Sequence, residues 1–361
     1  MSTPMAAPTR IGVLTGDGIG AEIVPAAVAI VDAAASVEGL DVEWVPLPFG
    51  FSAIDTHGTP IPDETLDTLA DLDLWVLGPH DSAAYPDRFA GSLTPGGVIR
   101  KHFDLFANLR PARAMNGVTA TAPDIDVLIA RENSEGLYAD RNMAVGSGEF
   151  MPTPDIALAV GVITRAASER IAHEAFRAAE ARRGHVTIVH KANVLRLTTG
   201  LFRDACREVA TGYPDVVVDE QHVDAMAAHL VRRPGDFDVI VTENLFGDIL
   251  SDLAGELAGS LGMAASVNCS ATQAMAQAAH GAAPDIAGRG IANPIAIISS
   301  TAMALRWYAT RVEDGAAAAV ADRIERAVEQ AVATGTATPD LGGDATTASF
   351  ADAVCERTRI G

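Results

Sequence analysis

Two aspartates four residues apart are the first candidates for chemistry in this sequence. Asp248 and Asp252 stand in residues 244–253, NLFGDILSDL, whose apolar residues recur with a helical period. Residues four apart in a helix lie on one face, about one turn apart. Paired carboxylates there favour a hard divalent cation, Mg²⁺ or Mn²⁺, because like charges repel unless a positive group lies between them. A solvated acidic edge is the other interpretation of this spacing.

Basic residues are concentrated in residues 92–113, SLTPGGVIRKHFDLFANLRPAR, of an otherwise acidic chain: Arg100, Lys101, Arg110 and Arg113. Arg131 follows a predicted strand at 127–130, and Tyr138 comes one short loop later. Arginine binds a carboxylate through two parallel hydrogen bonds. These side chains therefore indicate a carboxylate-binding site at the carboxyl edge of a sheet, with a solvated basic face as an equal alternative.

Lys191 and Asp224 are two further candidates. Lys191 directly follows a predicted strand at 186–190. Most lysines at such a position are surface residues, but a desolvated lysine can act as a base. Asp224 lies in the helical segment 223–233, VDAMAAHLVRR, and is predicted to face an apolar surface.

The loop HGAAPDIAG at 280–288 offers a histidine and an aspartate, with Asn293 shortly after. An aspartate there can accept from the ribose hydroxyls of an adenosine and repel a 2′-phosphate. A plain turn is the other interpretation.

The elements that must position these residues alternate between strand and helix, which indicates an α/β fold. Strands are predicted near 10–14, 42–45, 74–77, 127–130, 186–190, 216–218 and 237–241, and helices near 21–35, 63–71, 156–182 and 314–333. The first strand runs into TGDGIG at 15–20, whose glycine spacing is G-x-G-x-G and not that of the dinucleotide fingerprint. Glycines for a tight turn explain it at least as well.

Composition excludes several classes of protein. The 361 residues carry a net charge of −21, which makes nucleic acid and anionic membrane poor partners. Three cysteines lack metal-ligand spacing, and their odd number argues against a disulfide framework. Residues 1–10 lack the pattern of a signal peptide, and we expect a reduced, cytoplasmic protein that does not associate with membranes.

Eight motifs in order carry a resemblance to a known family: TGDGIGAE (15–22), IRKHFDLFANLRP (99–111), RENSEGLY (131–138), HKANVL (190–195), VDAMAAHLV (223–231), NLFGDILSDLA (244–254), HGAAPDIAGRGIANP (280–294) and PDLGG (339–343). The chain resembles the β-decarboxylating dehydrogenases nearly end to end. This family includes the isopropylmalate, isocitrate, homoisocitrate and tartrate dehydrogenases. The pattern is most similar to the 3-isopropylmalate and homoisocitrate members.

The resemblance implies a two-domain α/β fold with a large mixed sheet, which is not a Rossmann fold. A nucleotide-binding domain would comprise residues 1–105 and 259–361. Residues 106–258 would form a substrate, metal and dimerisation domain, with an arm near 139–154 clasped between the subunits of a homodimer.

The resemblance also implies roles for individual residues. Arg100, Arg110 and Arg131 would hold the carboxylates of a 2-hydroxy acid. Asp248 and Asp252, with Asp224 of the partner subunit, would bind Mg²⁺ or Mn²⁺. Lys191 of the partner subunit would remove the C2 hydroxyl proton, and Tyr138 would protonate C3 after CO₂ is lost. NAD would bind at His280, Gly281, Ala283, Asp285, Ile286 and Asn293.

Two departures from the family pattern bear on specificity. Gln277-Ala278-Ala279 replaces the usual Glu-Pro-Val before His280. By the resemblance, the turn at 93–97 would face the C3 substituent. It carries Leu93, Gly96 and Gly97, which offer no cation for a third carboxylate, and the two glycines are expected to leave room. An uncharged substituent is therefore favoured, as in 3-isopropylmalate or a bulkier 3-alkyl or 3-benzyl malate. Isocitrate, homoisocitrate and tartrate or D-malate remain alternatives, and a non-catalytic regulatory subunit is a further one.

Overall fold

The computed structural model describes residues 7–138, 143–144 and 146–360. Twelve strands are found in these residues: β1 Thr9–Leu14, β2 Val42–Pro46, β3 Leu74–Leu77, β4 Ala107–Arg113, β5 Asp126–Glu132, β6 Glu149–Thr153, β7 Ile156–Ala159, β8 His185–His190, β9 Val217–His222, β10 Val239–Thr242, β11 Val267–Cys269 and β12 Ala274–Gln277.

Eleven α-helices are found in the same part of the chain: α1 Gly20–Glu38, α2 Phe51–His57, α3 Asp63–Ala70, α4 Pro95–His102, α5 Arg165–Glu180, α6 Thr198–Ala210, α7 Val223–Arg232, α8 Asn244–Ala258, α9 Ile295–Val312, α10 Gly315–Ala333 and α11 Thr347–Ile360. The predicted alternation of strand and helix is confirmed.

Ten of the described strands form one mixed sheet in the order β2-β1-β3-β12-β11-β4-β5-β10-β8-β9. The outer strands pair in parallel, and the pairs β12–β11, β11–β4 and β4–β5 are antiparallel. The parallel strands β3 and β10 are almost wholly apolar and buried, as expected of strands with both faces covered, while β8 is mostly buried but also carries His185, Thr187 and His190. The predicted large mixed sheet is confirmed.

Helices α1, α9, α10 and α11 pack together over one part of the sheet, and α5 and α6 over another. Among the described helices, α1 alone is long and apolar enough to span a membrane, and 56% of its apolar window is buried within the protein. The core helix of a soluble protein meets the same criteria of length and composition.

The segment after residue 138 differs from the prediction. The expected arm at 139–154 lies partly outside the described residues, at 139–142 and 145. Strands β6 and β7 form a separate, fully exposed antiparallel hairpin. The helix predicted at 156–182 is therefore wrong in its first turns, because residues 156–159 pair as a strand and α5 begins only after Thr164, whose hydroxyl accepts from the Ala167 N–H.

Candidate active site

Helix α8 presents Asp248 and Asp252 on one side of the sheet. Its first turn is capped by Glu243, whose carboxylate accepts from the backbone N–H groups of Leu245 and Phe246. Both aspartates lie within 3.3 Å of the same atom, Arg110 Nη1. Burial raises the pKa of the Asp252 carboxyl, and the positive charge of Arg110 opposes that shift. The four-residue spacing thus places both carboxylates around one guanidinium.

Arg110 is held by its own strand and by α8. Its Nε donates to Asn108 Oδ1 at 2.7 Å, and its Nη1 donates to Ser251 Oγ at 2.8 Å. Arg113, three residues on, points elsewhere and pairs with Glu329. Of the basic residues in 92–113, only some therefore reach this site.

Arg131 comes from β5, the antiparallel neighbour of β4, and is 3% exposed. It pairs with Asp248, and its Nε and Nη2 donate to Asn244 Oδ1 at 3.0 and 2.7 Å. Gly247 makes this packing possible, since a Cβ at that position would lie 2.6 Å from Arg131 Cγ. The helix can approach the strand only because residue 247 has no side chain.

Tyr138 reaches the same cluster, and its hydroxyl donates to Asp248 Oδ2 at 3.1 Å. Two buried carboxylates fix the segment that leads to it. Glu132 accepts from the N–H groups of Ser134 and Glu135, while Glu135 accepts from Thr164 N and Oγ1 at 2.7 and 2.8 Å. Burial raises the pKa of both carboxyls, to about 7 for Glu135.

A cavity of about 260 Å³ joins the arginine cluster to the loop after β12. Arg100, in the last turn of α4, contacts it and donates through Nη1 to Gln277 Oε1 at 3.0 Å. The lining of the cavity is mostly polar and includes His80, Arg100, Asn108, Arg110, Arg131, Asn133, Asp248, Asn268, Gln277, His280 and Gly281. The site brings together three guanidinium groups and an aspartate.

The turn at 93–97 forms the start of α4. Thr94 caps the helix, and its hydroxyl accepts from the Gly97 N–H at 3.2 Å. A Cβ at Gly97 would meet only Thr94 and, at 4.0 Å, Leu93. A Cβ at Gly96 would lie 3.0 Å from His80 Nε2. The expectation that both glycines leave room is therefore wrong at Gly96, where an imidazole occupies the space.

Lys191 and Asp224 lie apart from this cluster within one copy of the chain and form an ion pair with each other. The side chain of Asp224 is 68% exposed, so the prediction that it faces an apolar surface is wrong. The ammonium of Lys191 lowers the pKa of the Asp224 carboxyl. Within the described residues, no three His, Cys, Asp or Glu side chains converge to hold a metal ion.

The loop at 280–293 connects β12 with α9 and rests on the glycine turn at 16–20. Ile19 N–H donates to Ala282 O at 2.9 Å. Gly18 has a φ of 55°, and a Cβ there would lie 2.1 Å from Ala282 O. The glycines of this turn therefore support the predicted nucleotide loop through close backbone packing.

The predicted nucleotide-binding residues differ in their surroundings. Asp285 is exposed and Ile286 half-buried, and Ala283 has a left-handed backbone with φ 40°. Burial lowers the pKa of the His280 imidazole and so favours its neutral form. Asn293 is buried. Its side-chain amide nitrogen donates to Asp340 Oδ2 at 2.9 Å, and its amide oxygen accepts from the Ile295 N–H at 2.9 Å. Asn293 thus fixes the end of the loop in this structure.

Several polar residues of the site received no role from the sequence. Asn108 and Asn244 lie inside motifs named above. Asn108 is two residues from Arg110, whereas no arginine stands near Asn244 in the sequence. Gln277 appeared only as a departure from a family pattern. His80 follows Gly78 and Pro79 without any recognisable spacing.

Comparison with known proteins finds relatives that match nearly the whole chain. The sequence profile of the family described as isocitrate/isopropylmalate dehydrogenase matches residues 10–354. The isocitrate/homoisocitrate dehydrogenase of Thermus thermophilus is 44% identical over 352 residues, which cover 96% of this chain and 98% of that protein. The 3-isopropylmalate/3-methylmalate dehydrogenase of Methanocaldococcus jannaschii is 40% identical over 358 residues, covering 97% and 99%. The crystal structure of an isocitrate dehydrogenase from Methylococcus capsulatus has a TM-score of 0.86 at 42% identity, covering 97% of this chain and 99% of that one.

Proposed function

The chain belongs to the isocitrate/isopropylmalate dehydrogenase family, and from this premise we propose that it oxidises a 3-substituted malate at C2 and releases its C3 carboxylate as CO₂, with NAD⁺ as the oxidant. One molecule each of 2-oxo acid, CO₂ and NADH forms per turnover. The observation that carries the proposal is the cavity lined by Arg100, Arg110, Arg131 and Asp248, beside the loop at 280–293.

The arginines bind and orient the substrate. Arg110 and Arg131 are fixed by Asn108 and Asn244, so their guanidinium groups keep one direction. Arginines held in this way bind carboxylates with defined geometry, which brings the C2–H bond toward the nicotinamide. In the structure they pair with Asp248, and a substrate carboxylate replaces part of that interaction.

The residues fit a divalent metal. Asp248 and Asp252 would supply hard oxygen ligands from one helical face, and Asp224 of the partner subunit would complete the set. A bound Mg²⁺ or Mn²⁺ would acidify the C2 hydroxyl and stabilise the enolate that follows loss of CO₂. Lys191 of the partner subunit takes the C2 hydroxyl proton, and the hydroxyl of Tyr138, held on Asp248, donates a proton to C3.

The nucleotide would lie on the loop at 280–293, where His280 and Gly281 contact the cavity. Asp285 is exposed on this loop and would repel the 2′-phosphate of NADP⁺. The nucleotide-binding domain would then comprise residues 1–105 and 259–361. The domain that binds the substrate and the metal would comprise residues 106–258.

A homodimer with shared sites explains why the candidate residues form two groups in one copy. Large apolar side chains are exposed beside both groups: Val194, Leu195 and Leu197 follow Lys191, and Ile249 follows Asp248. The hairpin β6–β7 exposes Phe150, Met151, Ile156 and Leu158. Apolar surface of this extent indicates an interface. We expect a cytoplasmic homodimer that binds neither nucleic acid nor membrane.

The substrate we favour is 3-isopropylmalate or a bulkier 3-alkyl or 3-benzyl malate, because the turn at 93–97 carries no cation for a third carboxylate. Isocitrate or homoisocitrate is the second candidate, since those names belong to a relative with 44% identity.

The test is NADH production, measured by its absorbance, with Mg²⁺ and a panel of malates: D-malate, tartrate, 3-methylmalate, 3-isopropylmalate, 3-benzylmalate, isocitrate and homoisocitrate. The highest kcat/KM should belong to an alkyl or benzyl malate. A preference for isocitrate, homoisocitrate or tartrate contradicts the proposed substrate, and no turnover with any of them contradicts the proposed activity.

A further inference from the structure

His80 lies three residues after the end of β3, between two backbone groups that are both hydrogen-bonded to Asp17. The carbonyl of Pro79, on one side, accepts from the Asp17 N–H at 2.7 Å. On the other side, the Asp81 N–H donates to Asp17 Oδ2 at 2.9 Å. Asp17 is buried and also accepts from the hydroxyl of Tyr85 at 2.6 Å. Both neighbours of His80 are thus tied to one buried residue.

The imidazole occupies the space in front of Gly96. Its Nε2 atom lies 3.0 Å from the position that a Cβ on residue 96 would take, and Gln277 Nε2 lies 3.6 Å from the same point. Its ring packs edge-on against Phe49, with ring centroids 6.3 Å apart. Since His80 and Gln277 both contact the cavity, a side chain at residue 96 would point into the wall that they form.

This wall carries no charge at neutral pH. Burial, and then the nearby charge of Arg100, lowers the pKa of His80 to about 4. An unprotonated imidazole provides a surface of fixed size and gives no ion pair to a further carboxylate.

We propose that His80 is a specificity-determining residue: its ring, in place of a side chain on residue 96, forms the wall beside the C3 substituent and limits the size of that group. The inference rests on the proposed function, because Arg100, Arg110 and Arg131 must hold the malate in this cavity for its C3 group to meet His80.

The first test compares His80→Ala with His102→Ala, a matched control because His102 is exposed at the end of α4. In His80→Ala, the ratio of kcat/KM for 3-benzylmalate to that for 3-methylmalate should rise about tenfold, as expected when a pocket gains room for several carbon atoms. His102→Ala should keep the wild-type ratio. An unchanged ratio in His80→Ala would overturn the inference. So would a change in KM for NAD⁺ that is the same with every malate, because His80 would then act on the nucleotide and not on the C3 substituent.

The second test needs no turnover and so separates this inference from the proposed function. Gly96→Leu should lower Tm in the wild-type background, because the introduced leucine side chain and His80 compete for one space. In the His80→Ala background the same change should lower Tm by less than half as much, since the space is then empty. Equal losses of Tm in both backgrounds would contradict the shared space, whether or not any malate is oxidised.

Discussion

Mixing two inactive variants tests whether the active site is built from two copies of the chain. Lys191 pairs with Asp224, and neither residue lines the cavity that includes Asp248 within one copy. If Lys191 acts on the site of its partner, Lys191→Ala and Asp248→Asn are each inactive alone. A heterodimer of the two would have one site with neither change and one site with both.

Random reassociation of equal amounts gives about half of the dimers as heterodimers, each with one intact site, so activity should reach about a quarter of the wild-type value. The variants carry different affinity tags, and subunit exchange is driven by mild denaturant and dilution. Heterodimers are then isolated with both tags, and these should show about half of the wild-type activity per dimer.

The control is a mixture of Lys191→Ala with Asp224→Asn. Both residues lie on the same side of the interface, so in a heterodimer each site receives one changed residue and no activity should return. Restored activity in this control, or none in the doubly tagged heterodimer of Lys191→Ala and Asp248→Asn, would refute the shared site.

Four further measurements bear on the cofactor, the metal, the pocket and the buried carboxyl. The kcat/KM for NAD⁺ should exceed that for NADP⁺ by about tenfold or more, about 1.4 kcal/mol, because Asp285 repels a 2′-phosphate; equal values would contradict this. Activity should disappear with a chelator and return with Mg²⁺ or Mn²⁺, and Asp252→Asn should remove most of it while the far-UV circular dichroism stays unchanged. Gly97→Leu should reduce kcat/KM for 3-benzylmalate more than for 3-methylmalate, and a uniform reduction would argue against a substrate contact there. Burial raises the pKa of Glu135 to about 7, so its protonated form stabilises the fold below the unfolded pKa, and this contribution is lost as pH rises through about 7. Between about pH 5.5 and 8, the free energy of unfolding in urea should therefore fall less for Glu135→Gln than for the wild type. An equal fall in both proteins would show that Glu135 does not titrate in this range.

Much of the fold follows from the sequence because apolar strands and periodic helices repeat along the chain. The exception at 156–159 shows the limit of that approach. A short apolar run such as Ile156–Ala159 is compatible with either a strand or the start of a helix. Pairing with β6 makes this run a strand, and a local sequence pattern does not show that pairing.

The side-chain direction of Asp224 could have been predicted better. Met226 and Leu230 are four residues apart and fully buried, so they mark the inner face of α7. A residue two positions before Met226 lies about 200° around the helix and must point outward. His80 is different, since nothing in the sequence relates it to Gly96, and only the packing of two loops shows that they share one space.

The order of strands in the sheet also has a consequence for the newly made chain. Strands β12 and β11, from residues 267–277, lie between β3 and β4, which are made much earlier. Until this hairpin emerges from the ribosome, β3 and β4 each present an unpaired edge, and such edges can pair with other chains. A nascent chain that stalls before residue 267 would therefore carry two unjoined half-sheets, each with an edge open to pairing with another chain.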